Sequence, residues 1–254
     1  MCELFGVSAE KKIRVNDYLK VLFSHSIEHS HGWGLALLDD GTVSIEKEPV
    51  RAVDSHYLKN RLTGSILTSA CMAHIRKATI GDVSFNNTHP FALNDISGRK
   101  WVMVHNGTVF DAPVLSPYQY VQEGNTDSER VLHYIVDRIN GYISEGGNTE
   151  DTPALIDSIV HILTPGNKLN FLLFDGEDLY VHKNEPGTLF TTTHDGAAVF
   201  ATHPLDDSEW LEIPQNRLLV FRRGRLIFKG EPHGNTYIHD DSKMRLIYMD
   251  HAML

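Results

Sequence analysis

The feature that most constrains the fold is the order in which the chain's apolar periodicities change. Short apolar runs at residues 3–8 and 33–38 come first, the second followed by the turn residues Asp39-Asp40-Gly41-Thr42 and another run at 43–45. Further runs at 65–73 and 101–104 suit buried strands, and residues 15–23 carry helical spacing. The segment 75–99 between two of these strands is rich in Gly, Asn, Thr, Pro and Ser and reads as loop. Two helices follow. Val131, Leu132, Ile135, Val136 and Ile139 recur at three and four residues and predict a helix over 127–143, capped by Thr126 or Asp127 and broken by Gly146-Gly147-Asn148. A second helix over 152–163 stops at Thr164-Pro165-Gly166. Strand periodicity then returns at 170–174, 179–182, 189–193, 197–202 and 218–228, the last as a hairpin through Arg223-Gly224. Strands, two helices and strands again form a segregated order, which points to α+β and not to an alternating parallel sheet. No internal repeat or long linker divides residues 1–254, so one domain is expected.

Charge and apolar content narrow the partners. Of 254 residues, 23 are Lys or Arg and 33 are Asp or Glu, a formal net charge of −10 with no block of consecutive basic residues. Such a chain gains little from counterion release, which argues against nucleic acid and anionic membrane surfaces and for a small-molecule or protein substrate. No apolar run approaches the roughly 20 residues a bilayer demands, and the N-terminus lacks the basic and apolar regions of a signal peptide. A cytoplasmic setting is therefore expected, with Cys2 and Cys71 both as thiols.

Cys2 stands out by position. Removal of Met1 would leave a thiol and a free α-amine on one residue, and the amine, with a reference pKa of about 7.7 to 8.0, can serve as base for the thiol. The same cysteine can equally be a packing residue of a first strand; Cys71, between Ala70 and Met72, reads as packing alone. Arg76 offers a planar fork for a carboxylate, or a surface ion pair. Asn106-Gly107 after an apolar strand can supply an oxyanion hole, or simply a turn. Residues 125–129 read as a helix cap, or as an anion for an ammonium group.

In order and spacing these elements resemble the class II glutamine amidotransferase domain: Cys2, His74-Ile75-Arg76-Lys77-Ala78-Thr79-Ile80-Gly81, Asn87-Thr88-His89-Pro90-Phe91, Val104-His105-Asn106-Gly107 and Thr126-Asp127-Ser128-Glu129. His29-Ser30-His31-Gly32-Trp33-Gly34 resembles a motif of the stand-alone, single-domain branch, and Ala201 to Leu205 with Trp210 echo a later part of it. The resemblance implies an N-terminal-nucleophile hydrolase fold, a four-layer αββα sandwich of two antiparallel sheets between helical layers. It implies that Cys2 attacks a γ-carboxamide to give a thioester while Asn106 and Gly107 stabilise the oxyanion. Arg76 would then hold the α-carboxylate and Asp127 the α-ammonium, with Thr79 and His89 lining the pocket. No cofactor or metal is implied. Ammonia would pass to a separate protein partner, or the enzyme would hydrolyse γ-glutamyl amides. The chain departs from the branch at His31, where Asp is usual, and at Lys77, where an aromatic often follows the Arg. A rival reading starts from the 15 His residues: His25, His29 and His31 would make a noncatalytic His-rich metal or ligand-binding module that retains the fold, although no Cys or HExxH pattern completes a metal site.

Overall fold

Side chains that alternate along each strand sort the apolar residues into three layers of core. In the computed structural model, which describes residues 2–39 and 41–240, the elements run in chain order β1 (Glu3–Arg14), α1 (Asn16–Ser24), β2 (Trp33–Leu37), β3 (Ser44–Glu48), α2 (His56–Arg61), β4 (Leu67–Ile75), β5 (Phe91–Asn94) and β6 (Lys100–His105). The second half follows with α3 (Asp127–Ser144), α4 (Thr152–Leu163), β7 (Phe171–Phe174), β8 (Leu179–His182), β9 (Phe190–His194), β10 (Ala197–Ala201), β11 (Leu211–Glu212), β12 (Leu219–Arg222) and β13 (Arg225–Lys229).

One seven-stranded sheet has the order β11-β9-β10-β1-β4-β2-β3, and a six-stranded sheet the order β13-β12-β8-β7-β6-β5. Neighbours are antiparallel throughout, for example Phe5 opposite Ala201 on one side of β1 and opposite Ala73 on the other. On β1, Phe5, Val7 and Ala9 point to a core shared with Leu19, Leu22 and Phe23 of α1 and Leu58 of α2. Leu4 points the other way, into a core between the sheets with Val102, Val104, Leu172, Val181 and Phe200. On the far side, Trp101, Met103, Phe171, Leu173 and Tyr180 meet α3 and α4 through Val131, Leu132, Ile135, Ile156 and Val160. Helix, sheet, sheet, helix is the α+β sandwich expected. Each fully buried Leu or Ile in these layers contributes about 1.5 to 3 kcal/mol relative to exposure, so a change such as Leu132→Asp would strip α3 from its sheet.

Gly6 brings the sheets together at the strand that leads from Cys2. A Cβ there would lie 2.6 Å from Leu172 Cδ1 of β7, inside van der Waals contact. The helices follow their sequence signals: Thr126 Oγ1 accepts a hydrogen bond from Glu129 N at 3.2 Å at the start of α3. Among the described residues no helix is long and apolar enough to cross a membrane.

Four expectations change. Part of the 75–99 loop, Phe91–Asn94, pairs with β6 as an edge strand; its four residues bury only Phe91 fully, so they lack a readable alternation. β1 runs six residues past Ser8 through a register shift and the exposed Glu10-Lys11-Lys12, where the apolar pattern ends but the pairing resumes. The six-residue α2 was not anticipated; Ser55 caps it, accepting from Leu58 N at 3.0 Å. On an α-helix His25 and His29, four residues apart, would share a face; His25–Ile27 is instead a 3-10 turn. Asp40, within the expected 39–42 turn, lies outside the described residues.

After β13, residues 230–240 make no regular structure and run back along the six-stranded side as a strap. His233 N donates to Asn216 O at 3.0 Å, Asn184 Nδ2 to Asn235 O at 3.0 Å, and Tyr237 N to Asn184 O at 2.8 Å.

Candidate active site

Cys2 immediately precedes β1, the strand held on both edges by β10 and β4, and Leu4 N donates to Thr202 Oγ1 at 2.8 Å. The half-buried thiol donates to Lys77 O at 3.4 Å and accepts from Lys77 N at 3.3 Å. Burial pushes this thiol up from its ordinary value, while the Lys77 backbone and the charges of Arg76 and Lys168 pull it down.

The opposing wall comes from the other sheet. Past the end of β6, Asn106 N donates to Asn170 O at 2.8 Å, and Thr108 pairs with Lys168 through two backbone hydrogen bonds. Gly107 is held between them: a Cβ there would stand 2.1 Å from His105 Nε2 and 2.2 Å from Lys168 O, so only glycine fits. Among the described residues neither the Asn106 side-chain amide nor the Gly107 N–H has a hydrogen-bond partner. Cys2, Thr79, Asn106 and Gly107 line one cleft of about 30 Å³, together with Thr108, Lys168, Tyr237 and His239.

Arg76 is buried beside this cleft. Its Nη1 donates to Asp82 O at 2.7 Å and its Nη2 to Ile80 O and Gly81 O, both at 3.0 Å, so it ties down the loop that carries Thr79. Its guanidinium has more donors than these three carbonyls use. Asp127, at the first turn of α3, accepts from Val109 N at 2.7 Å and opens onto a neighbouring hollow of about 250 Å³ lined also by Phe110 and Arg130. His89 does not line the Cys2 cleft. Its ring is buried behind it, 4.2 Å from the His74 ring and 4.5 Å from Phe91, with both nitrogens unpartnered among the described residues. Burial, then the neighbouring His74 and His105, drives its pKa well down, so the ring is a neutral packing group.

The three clustered histidines serve separate partners. His25 Nδ1 meets Glu3 Oε2 at 2.8 Å and His29 Nε2 lies 3.8 Å from Glu3 Oε1, so these two flank a buried carboxylate. His31 Nδ1 accepts from Ala78 N at 2.8 Å, which makes the departure at His31 an acceptor for the loop after Arg76. Burial and the charges of Arg76 and Lys77 lower the His31 pKa, consistent with an unprotonated Nδ1. Among the described residues no group of three or more His, Cys, Asp or Glu is placed to hold a metal ion.

Sequence reasoning missed Lys168, Tyr237 and His239. Lys168 is 3% exposed and pairs with Glu185 Oε2 at 2.6 Å, yet a lone Lys in a turn carries no mark of burial.

A family model described as "Glutamine amidotransferases class-II" matches residues 1–193. The uncharacterized protein MJ1515 of Methanocaldococcus jannaschii is 28% identical over 91% of this chain and 72% of its own length. YafJ of Escherichia coli (strain K12) is 27% identical over 89% of this chain and 100% of its own. Among solved structures, the glutamine phosphoribosylpyrophosphate amidotransferase from B. subtilis superposes with a TM-score of 0.68 at 17% identity, covering 92% of this chain and 49% of that one, so this chain spans about half of that enzyme. A Pseudomonas aeruginosa PA01 protein described as a predicted glutamine amidotransferase gives 0.60 at 21% identity, covering 89% of this chain and 100% of that one. At these identities the structures speak for the fold, the αββα sandwich of the N-terminal-nucleophile hydrolases. With the family matched from the first residue through β9, the chain belongs to the class II glutamine amidotransferases.

Proposed function

We propose that residues 1–254 act as one domain that hydrolyses the γ-amide of glutamine or of a γ-glutamyl compound through a thioester on Cys2. The observation that carries this reading is the meeting, in one cleft, of the thiol at the head of one sheet with Asn106-Gly107 at the end of a strand of the other. In the active form Met1, which lies outside the described residues, is removed. The Cys2 α-amine takes the thiol proton as Sγ bonds to the amide carbon, and the oxygen gathers charge against Asn106 Nδ2 and the Gly107 N–H. Collapse expels the amide nitrogen as ammonia, protonated by the α-ammonium. Water, deprotonated by the same amine, then attacks the thioester and releases the γ-carboxylate and the thiol.

Arg76 and Asp127 grip the two fixed charges of the amino-acid head group, with Thr79 at the cleft wall. His89 supports from behind. The ammonia leaves to a separate protein partner or to solvent, in the cytoplasm. The test is a panel of glutamine, glutathione-like and γ-glutamyl-amine substrates offered to Met-free protein, with ammonia release and the mass of Cys2 as readouts. Turnover of one class with a transient acyl adduct on Cys2 is expected; binding without any adduct on Cys2 would leave a noncatalytic module.

A further inference from the structure

Asn87 opens one of the motifs that carry the family resemblance and Asn125 directly precedes another, and the reaction above gives neither a role. They meet between the two segments that grip the head group. Asn87, 2% exposed in the loop before β5, uses every polar atom of its amide: Nδ2 donates to Asp82 O at 3.0 Å and to Asn125 Oδ1 at 2.6 Å, while Oδ1 accepts from Asn125 N at 2.8 Å. Asn125, in the turn before α3, completes the junction, its Oδ1 accepting from Asp82 N at 3.1 Å and its Nδ2 donating to Asp82 Oδ2 at 3.0 Å. The Asp82 carbonyl that Asn87 touches also accepts from Arg76 Nη1 at 2.7 Å. One buried amide thus bonds the carbonyl that holds the guanidinium and, on its other side, the chain two residues before Asp127. The junction is close-packed: a Cβ on Gly81 would stand 2.8 Å from Asn125 Oδ1, and one on Gly124 2.1 Å from Asn87 Oδ1. Lys47 of β3 braces the same loop, its Nζ donating to Thr88 O at 2.7 Å and to Pro90 O at 3.3 Å. Burial lowers the Arg76 pKa while the Cys2 thiol and the Asp127 carboxylate oppose that shift, so the guanidinium lies within electrostatic reach of both.

A zwitterionic head group bears its carboxylate and its ammonium on one carbon, so two grips on separate segments serve it only at one separation. We propose that Asn87 is a positioning residue for the head group: through Asp82 and Asn125 it locks the Arg76 loop to the start of α3 and so fixes the distance between the carboxylate grip and the ammonium grip. The inference rests on the roles given to Arg76 and Asp127 above and adds what sets their spacing. A fully satisfied buried network suits this task, because losing one member frees both segments at once. The hydrogen bonds of the Asn87 side chain go to Asp82 and Asn125, not to Cys2 or the oxyanion donors, so its loss should fall on binding.

The test measures binding where no turnover intervenes. On Cys2→Ala protein, calorimetry compares glutamine with glutaramate, which lacks the α-amine, and with 4-aminobutanamide, which lacks the α-carboxylate. Adding Asn87→Ala should raise the Kd of glutamine by about tenfold to a hundredfold, the scale of a 1 Å misplacement, and that of either single-charge ligand by less than about threefold, since one charge can settle on whichever grip it uses. Asn87→Asp, which keeps the shape but has no donors, should match it. Asn125→Ala, at an exposed position, breaks the lock from the α3 side; it should give the same pattern and covers the case in which an Asn87 variant fails to fold. Equal losses for all three ligands, or no loss for glutamine, overturn the proposal. A second arm needs no ligand. Asp82 N bonds to Asn125 and Gly124 N to Glu129, neither to Asn87, yet in Asn87→Ala both amides should exchange hydrogen at least about tenfold faster. Exchange that quickens in one segment alone, or in neither, also overturns the coupling. If the parent Cys2→Ala protein binds none of the ligands, the glutamine reading fails, and the exchange arm still decides whether Asn87 couples the two segments.

Discussion

Replacing Gly107 by alanine would place a methyl group 2.1 Å from His105 Nε2 and 2.2 Å from Lys168 O. Ordinary carbon contacts begin near 3.4 Å, so the shortfall is roughly 1.2 to 1.3 Å on two sides. Neither neighbour yields cheaply: the His105 ring is fixed by Ser128 Oγ at 2.9 Å, and Lys168 O accepts from Thr108 N at 3.0 Å. The loop 106–108 must move instead. Oxyanion donors act over about 2.7 to 3.1 Å, and a displacement near 1 Å removes the Gly107 N–H from that range, for an expected loss of about 10² to 10³ in kcat, or about 2.7 to 4 kcal/mol. Overpacking adds about 1 to 3 kcal/mol of destabilisation. Ammonia release, urea unfolding and the Cys2 alkylation rate, measured on one preparation, separate the two effects: kcat should fall far more than the folded fraction, while the thiol stays reactive. Adding His105→Ala should restore part of the activity by removing the 2.1 Å contact. A Gly107→Ala protein with kcat within about threefold of wild type would sink the oxyanion assignment, since one lost donor is worth far more than that.

Cys2→Ala should abolish turnover and keep ligand binding, whereas Cys71→Ala should change kcat little; comparing kcat with calorimetric binding checks both. Protein that retains Met1 should be inactive, because its Cys2 nitrogen is an amide, and intact mass read beside turnover decides this. Arg76→Ala and Arg76→Lys should each cost about one to two decades in kcat/KM, since an ammonium cannot span three carbonyls and a carboxylate; a fully active Lys variant would refute it. Gly141→Ala, at an exposed position of α3 with nothing near its Cβ, should stabilise by about 0.5 to 1 kcal/mol, read as a raised Tm. Burial, then the His233 ring, pushes His182 down to about 3; burial, then His161, pushes His233 down to about 4. Both rings are thus neutral in the folded state, and their contribution to stability is present above about pH 6.5 and is lost as pH falls toward those values. His233→Gln should flatten the fall in urea midpoint between pH 7 and pH 5, and an unaltered slope would count against this origin.

What was legible in the sequence was whatever a local period or a cap encodes. The helix Thr152–Leu163 and the strand Leu179–His182 have the bounds their patterns predict, and Arg223-Gly224 turns the last hairpin at φ 49° and 78°. The elements of the cleft were legible through a resemblance of short motifs, and the fold sets Cys2, Thr79, Asn106 and Gly107 along one cleft. The rest depends on distant partners. Nothing near His25 announces Glu3 as its carboxylate, and a lone His89 gives no sign of whether its ring faces a cleft or the His74 ring behind it. The strap has no period at all, so the stacking of Tyr237 on Phe110 exists only after the chain has closed.

The central place of β1 also bears on how the protein is made. Leu4 bonds to Thr202, 198 residues later in the chain, and the same edge of β1 is covered by β10. While the chain is being synthesised, the strand that carries the thiol must wait with that edge open until nearly the last strands have left the ribosome. Such long-range pairing is slow, and an unpaired edge invites association with other chains, so this interval is when the protein is most exposed to aggregation. A chain cut short before Thr202 would keep its cysteine and every motif around it, yet have no finished sheet on which to hold them.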